Sequence, residues 1–521
     1  MKSLRLLTLA ALVAVPQGPQ ASALVARGIV ALHHFEYEDA NDAFRQAREA
    51  DPSNALAFWG EAMTYHQTLW RNEDVAAGRA ALARLAPTPE ARAVKADSAR
   101  TRALLTAVDE LFGSGDADTR RRRYADAMAS AYEQFRNDPD VAALYALALL
   151  GTMSRGLIGN MSPVMANDIH DRALAGSATQ QRVAAILLEA LRAHPQHPGA
   201  LHYLIHAYDD PDHARLALGA ARAYAAIAPD SSHARHMPAH VFLQLGFWRE
   251  AAAADRAAYG VSKDWVRRKN LGPAMRNYHA LSWLQYELLQ LGRYREARSL
   301  VDELQWAVDA KGPAALLSDW ASMRARFAIE TRDWSMLAHD TTFANVNDLF
   351  AIGVSAARTG DPSRAETVRR TLAERAQAEQ EGDLRPAIAI MERELAAAID
   401  LAAGRRSEAL AALRSAADAE LALPAPLGLP APIKPAPEML GEALLDAGRP
   451  QEAARAFEQT LRLHANRSLS TLGLARTAVA QGHAADAKTH YRRLLDNFAG
   501  ADASLPEVKE ARAALGSAAR Q

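Results

Sequence analysis

The sequence predicts an all-α protein, an irregular solenoid of antiparallel helix pairs. Three observations lead there. Alanine and leucine recur at helical spacing along most of the chain, and Gly, Asn or Asp-Pro mark the breaks. A glycine followed five residues later by an alanine recurs at Gly246/Ala251, Gly292/Ala297, Gly360/Ala365, Gly404/Ala409, Gly448/Ala453 and Gly482/Ala487. And two histidine pairs, His202/His206 and His236/His240, are offset by 34 residues, the length of one helix–turn–helix repeat.

From the N-terminus, Lys2 and Arg5 precede an apolar stretch, Leu6 to Val15, that is too short to span a bilayer. Pro16 ends it, and Ala21-Ser22-Ala23 fits a small-residue cleavage site. Residues 1–23 therefore read as a signal peptide, giving a mature chain that starts at Leu24 and a periplasmic or secreted location. Cysteine is absent, so neither disulfides nor thiolate ligands are available. Lys+Arg 60 against Asp+Glu 61 leaves a net charge of −1, which steers the chain neither to nucleic acid nor to an anionic membrane. The one basic run, Arg120 to Arg123, reads as a solvated junction between loop and helix or as an anion contact.

Residues 24–422 form the main solenoid. Ala40 and Phe44 pack inside its first repeat, and Asp51-Pro52 and Asp138-Pro139 close two others. The glycine spacings of 46, 68, 44, 44 and 34 show that several repeats carry lengthened helices. Residues 423–437 hold six prolines and are not expected to be helical; they are either a linker or an ordered strap across the solenoid. Residues 438–521 form a closing C-terminal pair of repeats.

Small residues at the repeat positions that must approach closely make this a tetratricopeptide-like pattern. The segments ALAFWGEAMTYHQTLW, HPGALHYLIHAYDDPDHA, HARHMPAHVFLQLGFWREA, YHALSWLQYELLQLGRYREA and the tail from Lys434 to Arg476 carry a closer resemblance. On them the chain resembles a bacterial family of tetratricopeptide-repeat proteins with a His-rich centre, over nearly the whole mature length. The family's usual Asn-His-Pro-Leu-Trp stands here as His66-Gln67-Thr68-Leu69-Trp70. The resemblance implies the fold and brings no defined activity with it.

Of seventeen histidines, eight fall between residues 194 and 240. Residues i and i+4 share a helix face, and equivalent positions of stacked repeats lie side by side. His202, His206, His236 and His240 should then converge on one surface, provided the second helix includes both of its histidines despite Pro238. Counted from the turn glycines, His279 and His66 also point into the concave groove, which spans residues 194–279. Convergent imidazoles suit a divalent transition metal such as Zn, Cu or Fe. Helix N-termini beside them favour the neutral ring. Asp209, Asp210, Asp230, Glu61 and Glu287 are candidate carboxylates behind the ligands.

Two functions follow. One is an interaction scaffold whose concave groove binds a peptide or protein partner and carries the metal at His202, His206, His236, His240 and His279. The other is a metal-dependent enzyme, a hydrolase or oxygenase, with Glu61 or Glu287 as the general base. Phosphate-binding loops and the Gly-x-Ser-x-Gly elbow are not apparent.

Overall fold

All six predicted turn glycines take φ between +66° and +88°, a left-handed conformation open to glycine without a Cβ clash. The alanine five residues after each is buried where the paired helices meet. The computed structural model describes residues 17–153, 176–309, 313–378, 384–424 and 428–516. Helices dominate these residues, and the chain is an all-α repeat protein.

The chain divides into two compact units, 1–152 and 153–521; the boundary falls inside the stretch read above as one solenoid. The first unit comprises α1 (Gln17–His33), α2 (Tyr37–Ala50), α3 (Ala55–Met63), β1 (His66–Gln67), β2 (Asn72–Glu73), α4 (Val75–Leu85), α5 (Pro89–Val94), α6 (Ala99–Leu111), α7 (Ala117–Gln134) and α8 (Pro139–Met153). The strands form an antiparallel hairpin with His66 opposite Glu73. Phe44 fills the α2–α3 interface, where Gly60 leaves room for its ring. Arg120 and Arg121 are buried and face Glu73, while Arg122 and Arg123 are exposed. Half of the basic run is thus internal, because two adjacent residues of α7 turn toward the hairpin. The apolar leader, residues 6–15, lies outside the described residues. Helix α1 runs through the expected cleavage point and buries Ala21.

The second unit continues with α9 (Ala178–Ala193), α10 (Pro198–Ala207), α11 (Ala214–Ile227), α12 (Ser232–Gln244), α13 (Trp248–Arg268), α14 (Tyr278–Gln290), α15 (Tyr294–Asp309), α16 (Ala314–Thr331) and α17 (Val346–Thr359). It ends with α18 (Pro362–Ala378), α19 (Leu384–Ala402), α20 (Arg406–Leu421), α21 (Ala436–Asp446), α22 (Pro450–Leu463), α23 (Ser468–Ala480), α24 (Ala484–Asn497) and α25 (Pro506–Gly516). Consecutive helices pack as neighbours, and first helices of successive repeats also meet, α10 with α12 and α14 with α16, with α12 and α14 joined through side chains.

In the proline-rich segment, Leu429 is buried in the apolar core that includes Trp283 and Phe327, and Ile433 in the one that includes Met439 and Leu440. Helix α21 starts at Ala436, inside the segment expected to be non-helical. Pro437 is tolerated in that first turn because the amide it lacks has no intrahelical partner there.

The C-terminal repeats fold back on the middle of the unit. Trp248 Nε1 donates to the Asn466 carbonyl at 2.9 Å, Ser468 Oγ to the Gln290 carbonyl at 2.7 Å, and the Asp502 amide to the Gly292 carbonyl at 3.0 Å.

Candidate metal centre

Three first helices supply the histidines, and each starts with a defined cap. His197 Nδ1 accepts the Ala200 amide at the head of α10, Ser231 accepts Ala234 at α12, and Asn277 accepts Ala280 at α14. Asn277 Nδ2 also donates to Ser232 Oγ at 3.0 Å, which ties the start of α14 to the start of α12. Helix α12 runs through Pro238, so His236 and His240 keep helical register.

The imidazoles meet in two sets of three. His202 Nε2 lies 3.0 Å from His206 Nε2 and 3.0 Å from His233 Nε2. His236 Nε2 lies 3.0 Å from His240 Nε2 and 2.9 Å from His279 Nε2. Within each set all three nitrogens lie within 4.8 Å of one another, so that each set could hold an ion. All six rings are buried, at 8% exposure or less. They do not line an open groove, because aromatic rings cover them. Tyr224 stacks on His202 with centroids 5.1 Å apart, and Trp283 covers His240 at 4.4 Å and His236 at 5.0 Å.

Carboxylates orient two of the rings. His240 Nδ1 donates to Asp209 Oδ2 at 2.6 Å, and His236 Nδ1 to Asp255 Oδ1 at 2.5 Å. These carboxylate contacts at Nδ1 turn Nε2 of each ring inward, toward the other imidazoles.

Other expected residues lie elsewhere. Asp210 binds His213 Nδ1 at 2.7 Å and Gln180 Nε2 at 2.8 Å. Asp230 is exposed before α12. Glu287 is buried on α14 beside Asp255; burial pushes its pKa up to about 8, against the lowering effect of Asp255 and Arg256. A raised pKa works against the base role expected of it. In the first unit, Glu61 is ion-paired with Arg84 at 2.5 Å and Arg48 at 3.1 Å, which occupies the carboxylate proposed as a base. His66 sits 3.5 Å from Glu73, and burial lowers its pKa.

Two participants escaped the sequence reading. His233 stands thirteen residues before the turn glycine Gly246, as His279 does before Gly292, so the same count from the turn glycines marks it and was the available signal. Asp255 comes from the second helix of its repeat, 19 residues after the ring it orients, and no local spacing marks it.

Residues 444–518 match the family model described as Tetratricopeptide repeat. With the helical pairs above, the chain is a tetratricopeptide-repeat-containing protein. Among solved structures it is similar to yeast Tom70, at 14% identity over 95% of this chain and 96% of that one, with a TM-score of 0.32. It is also similar to the APC/C hetero-tetramer Cut9-Hcn1, at 12% identity over 95% and 96%, with a TM-score of 0.30. Likenesses of this size carry no functional information. No curated protein matches the chain.

Proposed function

We propose that the protein is an exported tetratricopeptide-repeat scaffold that binds a peptide or protein partner and holds a transition-metal ion in its histidine core. The metal reading rests on His236, His240 and His279. Two of these rings are held at Nδ1 by Asp255 and Asp209, and their Nε2 atoms lie 3.0 Å apart. Together with His279 Nε2, 2.9 Å from His236 Nε2, they form a buried group of three imidazole nitrogens that could hold one ion. Nitrogen ligands of one Zn ion lie roughly 3–3.5 Å apart, given Zn–N bonds of about 2.0–2.1 Å. All-imidazole ligation favours Zn or Cu over the hard ions Mg and Ca.

The scaffold part rests on the repeat fold and on a second feature. A cavity of about 250 Å³ opens among α16, α17, α21 and α23, with Trp334, Phe350 and Phe457 beside Arg332, Arg358 and Arg476. The lining also carries Glu442 and Asp446, and Glu442 pairs with Arg332 and Lys434, so the cavity offers a peptide side chain apolar walls with groups of both charges at the rim. A metal-dependent enzyme is the second reading, because three imidazoles leave a coordination position for water.

Protein purified without a polyhistidine tag is expected to carry stoichiometric Zn or Cu by elemental analysis. Asp255→Asn keeps the shape but weakens the orienting hydrogen bond, and should lower metal affinity by about 10–100-fold. Metal-free wild-type protein that gains no ion on reconstitution would remove the metal reading and leave the scaffold. Export is checked by the intact mass of the secreted form, which should begin at Leu24.

A further inference from the structure

The repeats sort the charges around the cavity between α17 and α21, and we infer that the peptide it takes carries an acidic and a basic side chain with an apolar one between them. The acidic group meets Arg358 and the basic group meets Asp446. This rests on the reading that the cavity binds a peptide.

The walls come from several helices of the second unit. Phe350 and Val354 belong to α17, Leu401 to α19, Met439 to α21 and Phe457 to α22. Six charged side chains join them, and four are already matched within the protein. Arg332 pairs with Glu442 at 3.0 Å, Lys434 with Glu438 and Glu442 at 2.8 Å each, and Arg476 with Glu510 at 2.7 Å. The other two are Arg358 and Asp446. Both are exposed, and among the described residues neither has an ion pair or a side-chain hydrogen bond.

These two residues hold the same place in their repeats. Arg358 stands two residues before the turn glycine Gly360, and Asp446 two before Gly448. In the repeat between them, Ala402 stands two before Gly404. Helix α17 meets α19, and α19 meets α21. Equivalent positions of stacked repeats lie side by side. The rim therefore runs from a cation through a small neutral residue to an anion, with Leu401 of the middle helix on the wall. A complementary ligand runs acid, apolar, base along the same row.

Asp446 does not serve the helix that carries it. It is the last residue of α21, where the helix dipole disfavours a carboxylate. The spacing then selects the kind of ligand. Packed helices lie about 8–10 Å apart, so two steps separate the helix axes by on the order of 16–20 Å. An extended peptide covers about 3.3 Å per residue, so about three to five residues join the two charges once side chains on both sides reach across. The ammonium and carboxylate of a free amino acid sit on one carbon and cannot span the row.

Binding of fluorescein-labelled, C-terminally amidated octapeptides to the full chain, followed by anisotropy, tests this. Each peptide has a central Leu-Leu pair flanked by Glu and Lys (in both orders), by two Glu or by two Lys. At low salt the mixed peptide in its better order should bind about 3–10-fold tighter than either like-charged one, the size of two exposed ion pairs. Arg358→Glu should make the double-Lys peptide the tightest, and Asp446→Lys the double-Glu peptide. Both positions are exposed, and circular dichroism should show unchanged helicity. Equal binding of all peptides, a wild-type preference for a like-charged one, or an order that neither reversal changes would overturn this inference and leave the peptide reading standing. Binding of none of them to wild-type protein at millimolar concentration would overturn both.

Discussion

The second unit buries two large polar clusters, and they differ in whether they close on themselves. At the C-terminal fold-back, fully buried Arg467 donates to Glu438 at 2.8 and 2.9 Å, to Glu330 at 2.6 Å and to the Tyr286 hydroxyl at 3.2 Å. Lys434 reaches Glu438 and Glu442, each at 2.8 Å, and Arg332 reaches Glu442 at 3.0 Å. Three cations face three carboxylates. Burial alone would raise the Glu438 pKa, but Arg467 and Lys434 hold it well below the usual carboxylate range. The histidine core instead gathers six groups of one kind, whose inward atoms are alike. A cluster of opposite charges completes itself and serves the fold; under the proposed metal reading, the imidazole cluster is completed by an ion.

The largest expected effect breaks the self-completing cluster. Arg467→Met leaves Glu438 with Lys434 as its cation and takes from Glu330 its short contact to Arg467. Removing one partner of a buried ion pair costs about 3–5 kcal/mol. Chemical denaturation should show a loss of that size, with metal content per folded chain unchanged. A loss below about 1 kcal/mol would mean that water enters the cluster and that the two clusters are not of different kinds.

A smaller effect separates the fold-back from the ordinary repeat turn. Gly246 and Gly482 have nearly the same backbone, with φ of +67° and +76°. A Cβ on Gly246 would lie 2.4 Å from the Ala465 carbonyl oxygen and 2.4 Å from Asn466 Cβ, whereas nothing lies within 4 Å of one on Gly482. Gly482→Ala should cost about 1–2 kcal/mol for the left-handed conformation alone. Gly246→Ala should add roughly 1–3 kcal/mol for the overlap, or release the C-terminal repeats and expose them to limited proteolysis. Equal melting temperatures for the two variants would show that the fold-back is not a tight contact.

The same contrast explains what was legible in the sequence. Gly246 and Gly292 were readable as turn residues, because turn chemistry is local. Their second role, admitting residues 465–466 and 501–505, depends on how far the unit coils over several repeats, and a single repeat does not encode that. The ligands His202, His206, His236, His240 and His279 were readable because the repeat translates position directly into neighbourhood. Their burial was not, since it comes from Tyr224 on α11 and Trp283 on α14, which look like ordinary core aromatics. Asp255 falls off the repeat arithmetic; His233 fits it, at the position before Gly246 that His279 takes before Gly292, and was passed over. Glu61 and Glu287 show that a carboxylate's chemistry depends on its surroundings: Arg48 and Arg84 for one, a dry helix interface for the other.

The smallest effect tests whether a neighbour decides what a buried histidine is for. His236 and His240 have carboxylates behind them; His464, also buried, lies near Arg467. Burial first, and then the Arg467 charge, lower the His464 pKa from 6.5 to about 3. Between those two values the unfolded chain binds a proton at this residue that the folded chain refuses. Stability is therefore complete above pH 6.5 and falls as the pH drops toward 3, by about 1.4 kcal/mol per pH unit for one fully displaced proton. His34 in the first unit, lowered to about 4 by burial and by His33, contributes in the same direction. His464→Gln removes one of these protons and keeps a polar side chain of similar size. Unfolding free energies of the metal-free protein between pH 7 and 4.5 should show a shallower slope for His464→Gln than for wild type, with metal content per chain unchanged. An identical slope would mean that His464 takes up its proton in the folded state despite Arg467. The contrast between a histidine backed by carboxylate and one beside a cation would then be lost.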